Sequence, residues 1–249
     1  MEKFIVVGTQ RTGSSAIAES IATSEKIFCG WEWTKNTAFY KKIEVAGKAL
    51  NADFNDLTSK HIDHIKRELK KDTKWIGFRR LFSSSDKWFI HPKYAPALFL
   101  DRLCSYKKWL SKNNDIYVIQ IIRKDQIEWL KSMFIAKKLN SYIGTTYPKD
   151  TKIRIPIKKA IKRLKSKNYV DHELSELRYT NPYLPIEYEK FSLNPTESIK
   201  EVHRFLNVNE EETAFNQPRK IKRQSTQTAR NYIINYEELK NEVDKIFPS

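Results

Sequence analysis

Cysteine is nearly absent from this chain: Cys29 and Cys104 are the only two among 249 residues. That is too few for a disulfide framework, and both read as reduced, packed thiols. Glycine is scarce too, at six residues, and no repeat, low-complexity tract or linker is discernible, so one domain spanning 1–249 is expected. Nowhere is the chain apolar over the roughly 18 residues that a membrane-spanning helix requires. The N-terminus runs directly into Phe4-Ile5-Val6-Val7, which leaves no room for a signal peptide and its cleavage site. A cytoplasmic protein with no membrane span is the expectation. Histidine offers no metal pattern: His61 and His64 are three apart on an expected helix, but no cysteine or second histidine pair completes a zinc set. Both read as surface residues, and no metal is expected.

Acidic residues are outnumbered, 30 against 46 Lys and Arg, for a net charge of +16. Such an excess suits polyanions, membrane surfaces or a highly charged nucleotide, and part of it serves solubility. The densest basic run, Lys149 to Lys167, holds Arg154, Lys158, Lys159, Lys162, Arg163 and Lys165. Ile157, Ile161 and Leu164 recur inside it at helical spacing, which predicts an amphipathic helix with a basic outer face. Disorder is excluded by 13 Phe, 12 Tyr and 6 Trp.

Residues 3–7 form a short continuous apolar run, the pattern of a strand buried on both faces of a parallel sheet. Ile17, Ala18, Ile21 and Ala22 then mark the inner face of a helix. A second helix is expected over 58–71, a strand at Trp75 to Phe78, and a helix carrying Phe99, Leu103, Tyr106 and Leu110. Ile116 to Ile122 is the clearest strand, followed by a helix with Ile127, Leu130 and Phe134. After the basic helix come a strand at Leu184 to Glu187 and a helix announced by Asn194-Pro195-Thr196-Glu197: a cap, a proline at the first position, an acid at the third. Asn235 is expected to cap a last helix with Leu239, Val243 and Ile246. Alternating strands and helices predict an α/β fold, a single P-loop-type domain with a central parallel sheet flanked by helices.

Between the first strand and first helix stands Gly8-Thr9-Gln10-Arg11-Thr12-Gly13-Ser14-Ser15. Two glycines five apart let the backbone wrap an anion, with N–H groups and a helix N-terminus supplying positive potential. Against the nucleotide-hydrolase pattern G-x-x-x-x-G-K-[ST], the lysine position is Ser14, so nucleoside triphosphate hydrolysis is poorly supported. Arg11 can instead set a guanidinium beside a phosphate or sulfate oxygen. Farther along, Arg123 follows the strongest strand and Ser132 comes nine residues later. That pair can bracket a phosphate above the carboxyl ends of the strands, where open α/β sheets bind ligands.

Arg11-Thr12-Gly13-Ser14-Ser15 resembles the R-[ST]-G-[ST]-[ST] loop of the sulfotransferases that use 3′-phosphoadenosine-5′-phosphosulfate (PAPS). The resemblance extends in order to Arg123 and Ser132, to Pro185-Ile186-Glu187-Tyr188-Glu189-Lys190-Phe191 with Asn194-Pro195 and Phe205-Leu206, and to Arg219-Lys220-Ile221-Lys222-Arg223. The spacing of nine, with a second basic residue at Lys124, is similar to the bacterial trehalose 2-sulfotransferase-like (carbohydrate) branch. It implies that Arg11, Thr12, Gly13, Ser14 and Ser15 cradle the 5′-phosphosulfate. It further implies that Arg123 and Ser132 hold the 3′-phosphate, with Lys222 and Arg223 near it. Tyr188 and Glu189 would be scaffold. The implied cofactor is PAPS without a metal, and the implied acceptor a hydroxyl on a carbohydrate, glycolipid or small molecule.

Sulfuryl transfer needs a base for the acceptor proton and donors to absorb charge on the moving group and leaving phosphate. The branch carries an acidic residue after a glycine, and Glu32 in Cys29-Gly30-Trp31-Glu32-Trp33 falls at the matching distance from Arg11, although the usual preceding proline is missing. Glu32 is therefore the first candidate base and His91 the reserve. Trp31 and Trp33 are either a stacking wall for a sugar or core. Arg79 sits where the branch tends to carry a cation that steadies the sulfuryl group. Two alternatives stand beside this reading. A P-loop kinase would need a loop lysine and an Asp for Mg²⁺, and a nucleic-acid-binding protein is suggested only by charge.

Overall fold

The computed structural model describes residues 2–24, 26–30, 74–82, 95–140, 146–208 and 228–248. Five parallel strands form its sheet: β1 (Glu2–Thr9), β2 (Ile27–Gly30), β3 (Trp75–Phe82), β4 (Tyr117–Ile122) and β5 (Tyr183–Glu187). Their order is β2-β3-β1-β4-β5, and every pairing is parallel. The unbroken apolar run of β1 is explained by its central place, since both its faces are covered. Phe4 and Val6 pack with α1 (Ser14–Ile21) and α6 (Pro195–Phe205) through Ile17, Ile21, Ile199 and Val202. Ile5 and Val7 pack on the opposite face with α2 (Ala95–Lys112) and α4 (Ile157–Ser175) through Leu103, Leu110, Val170 and Leu174. This period-2 division is what an α/β layer structure requires.

A third cluster sits outside the sheet. Trp129, Leu130 and Met133 of α3 (Gln126–Lys138) meet Ala160 and Leu164 of α4, with Tyr147 and, from α8 (Tyr236–Ile246), Leu239 and Val243. The described residues also hold the short helices α5 (Tyr188–Leu193), directly after β5, and α7 (Ala229–Tyr232).

From β1 the chain passes to the edge strand β2 and returns to β3 on one side, then crosses to β4 and β5 on the other. Connections on the two sides of β1 therefore part above the carboxyl ends of β1 and β4. Such a switch point is where open α/β sheets take their ligands.

Most expected elements are present, and some differ. The strand at Trp75 runs on to Phe82, so Arg79 lies inside it. The four-residue edge strand β2 was not foreseen. Asn194 caps α6 as expected, accepting from Glu197 N at 3.2 Å with Pro195 in the first turn. Asn235 does not cap α8 with its side chain. It accepts from Ile155 N and donates to Ile155 O, both at 3.0 Å, tying the start of α8 to residues 153–155. The face of α4 is also less uniformly basic outside than expected, because Arg163 and Lys167 are buried. Lys167 pairs with Asp171 one turn on at 2.7 Å, and Arg163 lies over the Phe134 ring. Cys104 is exposed rather than packed. The expected helix 58–71, with His61 and His64, falls outside the described residues, and among the described residues no helix is long and apolar enough to cross a membrane.

Candidate functional site

At the carboxyl end of β1 the backbone must turn sharply to start α1. Two left-handed residues make the turn, Arg11 (φ 67°) and Gly13 (φ 76°). Thr12 closes it by donating its hydroxyl to Thr9 O at 2.8 Å. Gly8 is required by proximity instead: a Cβ there would stand 2.7 Å from Ile121 O on the neighbouring strand. Gly13 is the N-cap of α1 and brings no side-chain cap, and the first turn holds no acidic residue. The first N–H groups of α1 thus have neither an intrahelical acceptor nor a nearby carboxylate on the helix itself.

The loop carbonyls are drawn the other way. Trp129 Nε1 donates to Gln10 O at 2.8 Å, and Arg123 Nη1 donates to Arg11 O at 3.0 Å. Because each trans peptide plane sets its N–H opposite its C=O, the N–H groups of Arg11 and Thr12 are turned away from Trp129 and Arg123. Backbone N–H groups turned from these donors, next to a helix N-terminus, are an arrangement that can receive an anion.

Three guanidinium groups surround this loop. Arg79, in β3 and 4 % exposed, donates to the Ser15 hydroxyl. Arg123, 8 % exposed, lies over the Tyr188 ring at 4.6 Å from its centroid. It faces Glu128 at 3.7 Å and Glu189 at 4.0 Å. Arg11 turns its side chain from the loop towards α3, donating from Nε to Ser132 Oγ at 2.9 Å and from Nη2 to the Tyr147 hydroxyl at 2.7 Å. Burial holds the Arg11 guanidinium below its ordinary pKa, Tyr147 opposes that shift, and the neighbouring Arg123 adds to it. The Cys29 thiol on β2 is pushed up to about 12 by burial, against a pull from Arg79, so it is a thiol and not a nucleophilic thiolate at neutral pH.

Glu189 and Tyr188 play the scaffold parts expected of them. Glu189 accepts from Lys124 N and Asp125 N, each at 3.1 Å, and so fixes the turn between β4 and α3. The Tyr188 ring fills the space a Gly13 side chain would occupy, since a Cβ there would come within 2.3 Å of it. Asp125 caps α3 by accepting from Glu128 N at 2.8 Å. Glu128 binds Lys131 at 2.5 Å and accepts from Ala229 N at 2.6 Å, which fastens the return of the chain after residue 228. Beside it a cleft of about 340 Å³ opens between Asp125, Ile127, Glu128 and residues 228–236. None of the loop residues lines that cleft.

The structure therefore gathers Arg11, Thr12, Gly13, Ser14, Ser15, Arg79, Arg123 and Ser132 around the carboxyl ends of β1 and β4. Ser132, which a helix-surface reading would expose, is buried. The candidate bases Glu32 and His91, the cations Lys222 and Arg223, and Trp31 and Trp33 lie outside the described residues. Sequence reasoning missed Tyr147, Trp129 and Glu128. Trp129 and Glu128 could have been sought as neighbours of Arg123 on the turn of α3, but Tyr147 carries no local signal.

No protein-family model matches this chain and no curated protein does. Solved structures do. The chain is similar to a sulfotransferase from Alicyclobacillus acidocaldarius at 11 % identity and TM-score 0.49, covering 99 % of this chain and 94 % of that one. It is similar to a sulfotransferase from Mycobacterium avium at 11 % identity and TM-score 0.47, covering 98 % and 76 %. The sulfotransferase domain from the curacin biosynthetic pathway matches at 14 % identity and TM-score 0.43, covering 98 % and 90 %.

Proposed function

We propose that this protein is a sulfotransferase that moves a sulfuryl group from PAPS to a hydroxyl of a carbohydrate, glycolipid or small-molecule acceptor. The carrying observation is one hydrogen-bonded network at the switch point: Arg79 donates to Ser15 of the Gly8–Ser15 loop, Arg123 donates to Arg11 O, and the Arg11 side chain donates to Ser132. In this reading a donor with separated 5′ and 3′ anionic groups spans that network. A triphosphate would want a lysine where Ser14 stands.

In the proposed step the acceptor oxygen attacks sulfur in line, an O–S bond forms and the bond from sulfur to the 5′-phosphate oxygen breaks. Its proton passes to a base, Glu32 in this reading, and adenosine 3′,5′-bisphosphate leaves. The loop N–H groups, the α1 N-terminus and Arg79 are set to meet charge on the moving group and on the departing phosphate oxygen. Arg123 and Ser132 take no part in bond making; they hold the far phosphate and so fix the line of attack. Lys222 and Arg223 would add charge near that phosphate.

A thermal-shift series tests the reading. Adenosine 3′,5′-bisphosphate should raise the melting temperature far more than AMP or ATP, because a ligand bound only by the folded state stabilises it by mass action. An equal or larger shift with ATP and Mg²⁺ would favour a kinase, and salt-sensitive DNA binding indifferent to nucleotide would favour a nucleic-acid-binding protein.

A further inference from the structure

Arg11 is a loop residue whose side chain does not stay with its loop. Its guanidinium crosses to α3, where Ser132 accepts from Nε at 2.9 Å, and reaches Tyr147, whose hydroxyl accepts from Nη2 at 2.7 Å. Ser132 and Tyr147 are distant in sequence from Arg11, by 121 and 136 positions, and from each other by 15, with the Tyr147 hydroxyl 3.5 Å from Ser132 O. Nε and Nη2 form one edge of the planar guanidinium, so two acceptors on that edge fix the plane as well as the position of the group. These two acceptors are neutral hydroxyls, and they orient the cation. The Tyr147 ring is held in turn, 2 % exposed and edge-on to Tyr232 at 6.4 Å between centroids. A fixed phenol therefore aims a loop arginine at Ser132, while Arg123 holds the carbonyl of the same arginine.

Resting on the PAPS reading above, we propose that Tyr147 is a positioning residue for the donor's 3′-phosphate. It holds Arg11 on the Ser132 side, so that Arg11 and Arg123 together recognise the 3′-phosphate while Arg79 serves the sulfuryl end. Tyr147 touches no reacting atom. Its effect reaches the ligand through Arg11, which makes it a determinant of discrimination between nucleotides with and without a 3′-phosphate.

The test is calorimetric titration of the full chain with adenosine 3′,5′-bisphosphate and with AMP. Tyr147→Phe keeps the buried ring and removes only the acceptor. It should weaken adenosine 3′,5′-bisphosphate about five- to tenfold, the scale of one ordinary net hydrogen bond, because the lost contact acts on the ligand only through Arg11. AMP affinity should stay within about twofold, so the ratio of the two affinities shrinks. Arg11→Lys retains the charge but cannot fork, and should shrink the same ratio even if Tyr147→Phe proves hard to fold. A parallel loss for both nucleotides in both variants would mark Tyr147 as structural support and overturn the proposal. A wild-type preference that Tyr147→Phe leaves intact also overturns it while sparing the donor reading. A wild-type chain that binds both nucleotides alike refutes the donor reading and this role with it.

Discussion

Replacing Gly13 by alanine should damage stability and ligand binding together, for reasons that can be followed atom by atom. Gly13 sits at φ 76°, where an L-residue costs about 1–2 kcal/mol. The new Cβ would lie 2.3 Å from Cδ2 and Cε2 of Tyr188, so the ring must move. It is not at liberty to do so, because the Arg123 guanidinium lies over it and is itself bonded to Arg11 O. Overpacking of this kind costs about 1–3 kcal/mol, for a total of about 2–5 kcal/mol. In a chain of this size that corresponds to a drop of about 4–20 °C in melting temperature, readable by far-ultraviolet circular dichroism. Affinity for adenosine 3′,5′-bisphosphate should fall about tenfold as Arg123 is displaced. Placing the same change in a Tyr188→Leu background separates the two causes, since only the backbone part of about 1–2 kcal/mol should remain. A Gly13→Ala protein that melts within about 1 °C of wild type and binds as before would refute the packing of loop, ring and guanidinium described here.

Three further outcomes are expected. Glu32→Gln should lower turnover about 10²–10⁴-fold with little change in nucleotide affinity, whereas Arg123→Ala should weaken the nucleotide by about 1.5–3 kcal/mol; a Glu32→Gln enzyme with full activity would remove Glu32 as base and leave His91 next. Asp171, whose carboxyl is pushed up chiefly by burial while Lys167 pulls it down, shares a buried ion pair, so Asp171→Ala should cost about 3–5 kcal/mol in urea unfolding and the paired change Lys167→Met/Asp171→Leu far less; equal losses from both would contradict that account. A thiol reagent at pH 8 should modify exposed Cys104 faster than half-buried Cys29, because the Cys29 thiol stays protonated there; two equally fast thiols in the folded protein would count against the raised pKa of Cys29.

What the sequence determines by itself is whatever rests on local pattern. The apolar run 3–7 and the stretch 116–122 specify buried parallel strands because a strand covered on both faces needs an unbroken apolar series. Asn194, Pro195 and Glu197 specify the start of α6 because capping is settled within four residues. The glycine spacing of the Gly8 loop is legible for the same reason, and so is a tight strand-to-helix turn there. Arg123 and Ser132 could be placed near one another because one strand end and two helical turns separate them, and in the structure each contacts Arg11. Tertiary structure alone decides the rest. Arg11 meets Tyr147 only because β1 and β4 are neighbours, which brings α3 and the segment after it over the loop. Arg163 and Lys167 are buried because α4 lies against the sheet on one side and α3 on the other, a constraint that helical periodicity within α4 does not contain. Asn235, a cap by its place in the sequence, is turned to Ile155 because a buried peptide group there needs both of its hydrogen bonds, and that demand arises only once the two segments are side by side.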